Sequence, residues 1–115
     1  MKMLALFMFV FLAACGASEN SRQAALMDEI ESQVQMPSEA GALDRYSRFY
    51  TQAKSGEIVG TYVKSAHDNL PIGRRRWVTD LYHLPAIDDG GCLIVNIVFD
   101  PMTKKVTQAL CNGIA

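Results

Sequence analysis

The chain has 115 residues, 50% of them hydrophobic and 20% charged, with a formal net charge of −1. That length holds one small domain, with enough apolar content to bury a core rather than remain disordered. The near-zero charge excludes a global field that would draw the chain to nucleic acid or to an acidic surface, and no apolar run after the first approaches membrane-spanning length.

The chain opens Met1-Lys2-Met3, continues apolar from Leu4 to Phe11, and reaches Leu12-Ala13-Ala14-Cys15-Gly16. One Lys, a short apolar run and small residues before a cut site are the layout of a secretory signal. The run is shorter than the roughly 20 apolar residues of a stable span. A Leu, two small residues and a Cys resemble the bacterial lipobox. The resemblance implies cleavage before Cys15, diacylglycerol on its thiol and an acylated new amino terminus; three acyl chains make release negligible. Gly16, where an Asp would argue for the inner membrane, implies the outer membrane. With Cys15 used by lipid, two of the three cysteines remain, Cys92 and Cys111, in a compartment where disulfides persist.

Residues 15–20 read as a lipidated tether and residues 21–115 as a single domain. Leu26, Ile30 and Val34 recur every four residues, with Met27 and Gln23 beside them, which predicts a helix over 21–35. Asn20 suits its N-cap and Gln23 a capping box. Asp28, Glu29 and Glu31 fall on the opposite, outward face. Met36 precedes Pro37 and is pushed out of the helical region, so the helix ends near Gln35. Residues 38–41 form a loop and 42–45 a single turn. Residues 46–52 are aromatic-rich and read as a strand, with a helix over 42–53 as the rival. Lys54-Ser55-Gly56 is a turn, and 57–64 pairs back as a hairpin. Residues 65–73 are a polar loop, 74–79 a short strand, and 80–91 a long connection with Asp88-Asp89-Gly90-Gly91 as turn chemistry. Residues 92–99 and 104–111 form a last hairpin around Asp100-Pro101-Met102-Thr103, with Pro suited to a type I turn. Phe99 then pairs with Lys104, which puts Cys92 opposite Cys111 for a cross-strand disulfide. The same register pairs Leu93 with Leu110 and Ile97 with Val106 on the other face.

Little in the chain carries catalytic chemistry. His67 and His83 are the only histidines, too few for a zinc site once Cys92 and Cys111 pair. No serine sits in a nucleophile elbow, Asp88-Asp89 reads as a turn, and no phosphate loop or dinucleotide fingerprint occurs. No enzyme, metal or cofactor is expected. The sharpest surface feature is Arg74-Arg75-Arg76-Trp77. In a strand, Arg75 and Trp77 share one face and Arg74 and Arg76 the other. An Arg cluster beside an aromatic is a candidate partner-binding site for carboxylate or phosphate groups. The alternative is structural: Trp77 in the core and the arginines blunting an edge strand or pairing with Asp28, Glu29, Asp88 or Asp89. Tyr46, Phe49, Tyr50 and Tyr62 read as the core covered by the helix.

Several spaced elements together resemble an uncharacterised family of small proteobacterial lipoproteins: the lipobox, 43–50, Gly60-Thr61-Tyr62-Val63, Gly73-Arg74-Arg75-Arg76-Trp77, Asp88-Asp89-Gly90-Gly91-Cys92, Phe99-Asp100-Pro101 and Cys111-Asn112-Gly113. The resemblance implies location and no activity. A weaker likeness links the chain to lipid-anchored assembly factors of the outer-membrane β-barrel machinery, although a clear second helix is lacking. The expected fold is α+β, a helix on an antiparallel meander of four or five strands, pinned by Cys92–Cys111. The expected function is a non-enzymatic, lipid-anchored envelope module facing the periplasm, whose partner is an envelope protein or anionic envelope polymer. The alternatives are an inhibitor of a hydrolase such as a muramidase, acting through a protruding loop at 65–73 or 80–91, and an accessory factor of outer-membrane assembly.

Overall fold

Ser18 opens the first element: its hydroxyl accepts from the Ser21 amide at 3.2 Å and caps a helix, α1, Glu19–Gln33. Glu19 lies in the first turn, where its charge suits the helix dipole, and it pairs with Arg22 at 2.7 Å. The helix starts before the expected Asn20 cap, because Ser18 can reach the exposed amides one turn on. It stops at Gln33, with Val34 already extended ahead of Met36-Pro37. The computed structural model describes residues 18–113. The expected leader and Cys15 lie outside the described residues.

Five strands form one sheet: β1 Ser47–Gln52, β2 Ile58–Val63, β3 Arg75–Trp77, β4 Ile94–Asp100 and β5 Lys105–Cys111, in the order β3-β1-β2-β4-β5. The fold is α+β, but the sheet is mixed and not an antiparallel meander. β1 and β3 pair in parallel, Arg48 beside Arg75 and Tyr50 beside Trp77, while the other neighbours are antiparallel. The reason is topological. β2 ends beside the start of β1, and the 64–74 loop crosses that end of the sheet and drops β3 onto the outer edge of β1. The segment after β3 returns across the face opposite α1 and delivers β4 to the other side of β2. Residues 43–45 form a single 3₁₀ turn before β1, which settles the helix-or-strand alternative for 42–53 in favour of a strand.

Alternation along the strands divides the core. Tyr46, Tyr50, Ile58, Tyr62, Val95, Ile97 and Phe99 pack with Met27 and Ile30 of α1, and Trp77 leans on the same cluster. Phe49, expected beside the tyrosines, faces the other way. It packs with Val63, Leu70, Val78 and Ile94 beneath the connecting loops. Gly60 is required where Tyr50 crosses it: a methyl there would lie 3.2 Å from the Tyr50 ring and 3.3 Å from Ile97 Cβ.

The last hairpin differs in register from the expectation. Asp100 belongs to the strand and pairs with Lys105, because its carboxylate holds the turn by accepting from the Met102 amide at 2.9 Å. Lys104, at a φ of 58°, closes the loop. Thr107 is an extra residue opposite the Val98–Phe99 step, a bulge that shifts the ladder again. Cys111 therefore pairs with Val95, not Cys92, and Leu110 lies opposite Asn96 and Ile97 opposite Ala109. The disulfide forms by another route. Gly90 and Gly91 take φ values of 118° and 53°, a 3₁₀ turn at Gly91–Leu93 folds back, and Cys92 comes within 4.5 Å of Cys111, Cα to Cα. Asn112 completes this knot, its side chain donating to the carbonyls of Ile87 (2.7 Å) and Asp89 (3.0 Å) and accepting from Asn96 (3.2 Å). The Asp88–Cys92 and Cys111–Gly113 runs are thus two halves of one structural device.

Replacing Cys92 and Cys111 together with alanine should lower stability by roughly 3 kcal/mol, the loop-entropy value for a closed loop of this length. Urea unfolding of wild type with and without reductant checks it: reductant should reproduce the loss in wild type and do nothing to the double variant.

Candidate functional site

Alternation places Arg48 of β1 on the same face as Tyr50, pointing at α1, where an unpaired guanidinium would be costly. Glu31 answers it. Its carboxylate accepts from Arg48 Nε at 3.0 Å, Arg75 Nη1 at 3.2 Å and the Tyr50 hydroxyl at 2.7 Å. Tyr50 in turn lies 2.6 Å from the Tyr62 hydroxyl, which extends the network to β2. Arg75 also grips Asp28 at 2.7 Å. Glu31 does not face outward as expected. It follows Ile30 and lies four residues past Met27, on the border of the apolar stripe, where a long carboxylate can turn in. The missed signal was Arg48 sharing a sheet face with Tyr50 and Tyr62. Burial pushes both phenols well above their ordinary range, and the Glu31 charge adds to the effect at each. Burial opposes the Arg75 charge, but its hydrogen bond to Asp28 and the pull of Glu31 and Asp28 outweigh it and raise the guanidinium.

The Arg74–Trp77 run lands on the edge strand and is divided among different tasks. Arg75 is held by Asp28 and Glu31. Arg76, on the other face, donates to the Asp68 carbonyl at 2.9 Å and stacks 5.8 Å from the Phe49 ring centroid. Trp77 packs beside the helix-side core. Of the three arginines only Arg74 is exposed. Its backbone carbonyl accepts from the Arg48 amide at 2.9 Å, and the Gly73 amide donates to Tyr46 at 3.0 Å, so Arg74 is carried next to the 43–45 turn.

That placement creates a cluster absent from any one stretch of sequence. Asp44, Arg45, Lys64 and Ile72 line a shallow depression at the end of the sheet where β1 begins and β2 ends, and the Arg74 backbone is bonded to Arg48 at that same end. Gly41 packs against the same side chains: a methyl there would lie 3.2 Å from Lys64 Nζ and 3.8 Å from Arg45 Cδ. Among the described residues Arg45, Lys64 and Arg74 make no ion pair, whereas Arg48 and Arg75 are bound to carboxylates. Asp44 is the one carboxylate lining the depression, and Ile72 adds exposed apolar surface.

The histidines lie apart. His67 packs edge-on against Phe49, 5.7 Å between ring centroids. His83 Nδ1 lies 2.7 Å from Asp80 Oδ1, and this hydrogen bond holds the Asp80 carboxyl below its ordinary value. Among the described residues no group of three His, Cys, Asp or Glu side chains is placed to hold a metal ion, and no helix is long and apolar enough to cross a membrane. Compared with known proteins, the chain matches no family model, no curated protein and no solved structure.

The phenols give a test with a definite sign. Both pKa values are raised above the ordinary 10.0, so the folded state holds these protons more tightly than the unfolded one. Their contribution to stability is complete below about pH 10 and is lost as the pH rises above it. In an alkaline titration, the phenolate absorbance of Tyr50 and Tyr62 should appear together with the loss of far-ultraviolet circular dichroism. Tyr50→Phe should remove one of the late-ionising groups. Ionisation of both phenols in an intact fold would contradict the buried network.

Proposed function

We propose that the chain is a lipid-anchored envelope protein, held by acylated Cys15 in the outer membrane, that faces the periplasm and binds an acidic segment of another envelope protein. It works as a binding module and not as an enzyme. The compartment is supported by the Cys92–Cys111 disulfide, since such bonds persist in oxidising surroundings. That pairing leaves Cys15 as the one remaining cysteine, in the position of the lipobox resemblance.

The observation that carries the binding role is the depression lined by Arg45, Lys64 and exposed Ile72, with exposed Arg74 two residues on from Ile72 and its backbone tied to the start of β1. Three cations without carboxylate partners, beside one exposed apolar residue, suit a carboxylate-bearing chain with an apolar side chain among its acids. Arg74 is the member of the Arg74–Trp77 run that reaches solvent, and it reads here as part of a site whose other members come from the start of β1 and the end of β2. Arg75, Arg76 and Trp77 shape the edge strand beneath it.

The test is recovery of crosslinked partners from intact envelopes, comparing wild type with the triple variant Arg45→Glu, Lys64→Glu, Arg74→Glu. All three side chains are exposed, so the variant should keep the wild-type melting curve. It should lose the partners that wild type captures, and wild-type capture should weaken as salt rises. Equal recovery by both proteins would overturn the assignment. Retention on an anionic polymer, with no protein captured, would overturn the choice of a protein partner.

A further inference from the structure

The amino-terminal end of α1 is fixed at one end of the sheet. Arg22 Nη2 donates to the Gln52 side chain at 3.3 Å, and Gln52 is the last residue of β1. Gln52 also lies in a second depression with Ala53, Lys54, Asp80, Leu81 and Tyr82. The β4–β5 turn is at this same end, since Ile58 pairs with Phe99. It stands two strands from β1, about 10 Å away at ordinary strand spacing.

Apolar tips gather here. Tyr82 is 96% exposed, Leu81 51% and Met102 90%. Leu81 and Tyr82 do not hang on a slack loop. Asp80 caps their 3₁₀ turn, accepting from the His83 amide at 3.2 Å and pairing with the His83 ring at 2.7 Å. Two bulky side chains are held out on a braced turn. Lys54, Lys104 and Lys105 stand at the same end. The carboxylates there are engaged locally: Glu57 with Ser55, Asp80 with His83, Asp100 with the Met102 amide and Glu19 with Arg22. The charges roughly balance, so apolar contact and not net charge is the attraction.

The length of the preceding chain says what covers this end. Only Gly16 and Ala17 separate Cys15 from Ser18, the helix cap. Fully extended, Cys15 to Ser18 spans at most roughly 10 Å. A lipid on Cys15 therefore holds the α1 amino terminus, and with it the Leu81–Tyr82 turn, at the head-group level, where aromatic rings with one polar atom are favoured. Resting on the lipid-anchor reading above, we infer that Leu81, Tyr82 and Met102 form a second membrane contact that seats this end of the sheet on the lipid surface and turns the Arg45–Lys64–Arg74 end away from it.

The full acylated chain is reconstituted in vesicles of phosphatidylethanolamine and phosphatidylglycerol. The vesicles are doped with phosphatidylcholine brominated near the head-group end of its acyl chains, a contact quencher of tryptophan. Tyr82→Trp is compared with Leu93→Trp, an exposed site at the opposite end of the sheet. Trp77, the one native tryptophan, is a common background. Tyr82→Trp should show a blue-shifted, strongly quenched added emission, and Leu93→Trp none. Radiolabelled palmitate incorporation, and its loss in Cys15→Ser, is scored on the same preparations. Label without quenching at residue 82, or equal quenching at residues 82 and 93, overturns the second contact while the anchor stands. Absence of label overturns both.

Discussion

Glu31 is the joint on which the fold turns. The helix brings two buried apolar side chains to the sheet, Met27 and Ile30, with Leu26 and Val34 partly buried beside them. Direction comes from the carboxylate, which takes donors from Arg48, Arg75 and Tyr50 and so fixes α1 against the edge strand and the strand beside it. The Tyr50–Tyr62 contact carries the constraint to β2, and Gln33 extends it to the far edge. The Gln33 side chain accepts from the Val106 amide at 2.7 Å and donates to the Lys104 carbonyl at 3.0 Å, beside the bulge at Thr107. Removing Glu31 would leave Arg48 buried without a carboxylate, a larger penalty than the pair's own net contribution.

The disulfide knot fixes the opposite end of the sheet in a complementary way. Cys92–Cys111, the Asn112 amide and the Tyr46 hydroxyl, which donates to the Cys92 carbonyl at 2.7 Å, bind the start of β4, the end of β5 and the turn before β1. The helix holds one face and the knot one end, and the proposed site and the proposed membrane contact lie at opposite ends of the sheet.

What was legible in the sequence was local. The apolar repeat of α1, the β1–β2 hairpin around Lys54-Ser55-Gly56, and the turn chemistry of the last hairpin each announce themselves within a dozen residues. What was not legible depends on segments meeting from far apart. Nothing near Arg75 says that β3 lies parallel to β1, because the 64–74 loop decides it. The Cys92–Cys111 pair was expected from a register that does not occur. Asp100 extends the strand, Thr107 bulges, and two glycines return Cys92 to its partner by a turn instead of a ladder. Glu31 was assigned to solvent because a stripe of apolar residues does not reveal that the sheet beneath presents Arg48. The basic run at 74–76 was visible, and so was Asp28 as a partner for it, which Arg75 takes, but Glu31 as the second carboxylate and the Phe49 ring under Arg76 were not, since the fold alone supplies them. Arg45 and Lys64 had no signal at all until β1 and β2 were paired.

The central claim is that Glu31 and Arg48 act as one buried unit that locks the helix to the sheet. A double-mutant cycle with Glu31→Gln and Arg48→Met, followed by urea unfolding, measures it directly. Glu31→Gln should lose about 3 kcal/mol or more, because buried Arg48 is left without its carboxylate, and Arg48→Met should lose less, because Arg75 and Tyr50 still donate to Glu31. The double variant should recover part of that loss, with a coupling of roughly 1–3 kcal/mol. Losses that add to within about 0.5 kcal/mol would show two independent side chains and contradict the account.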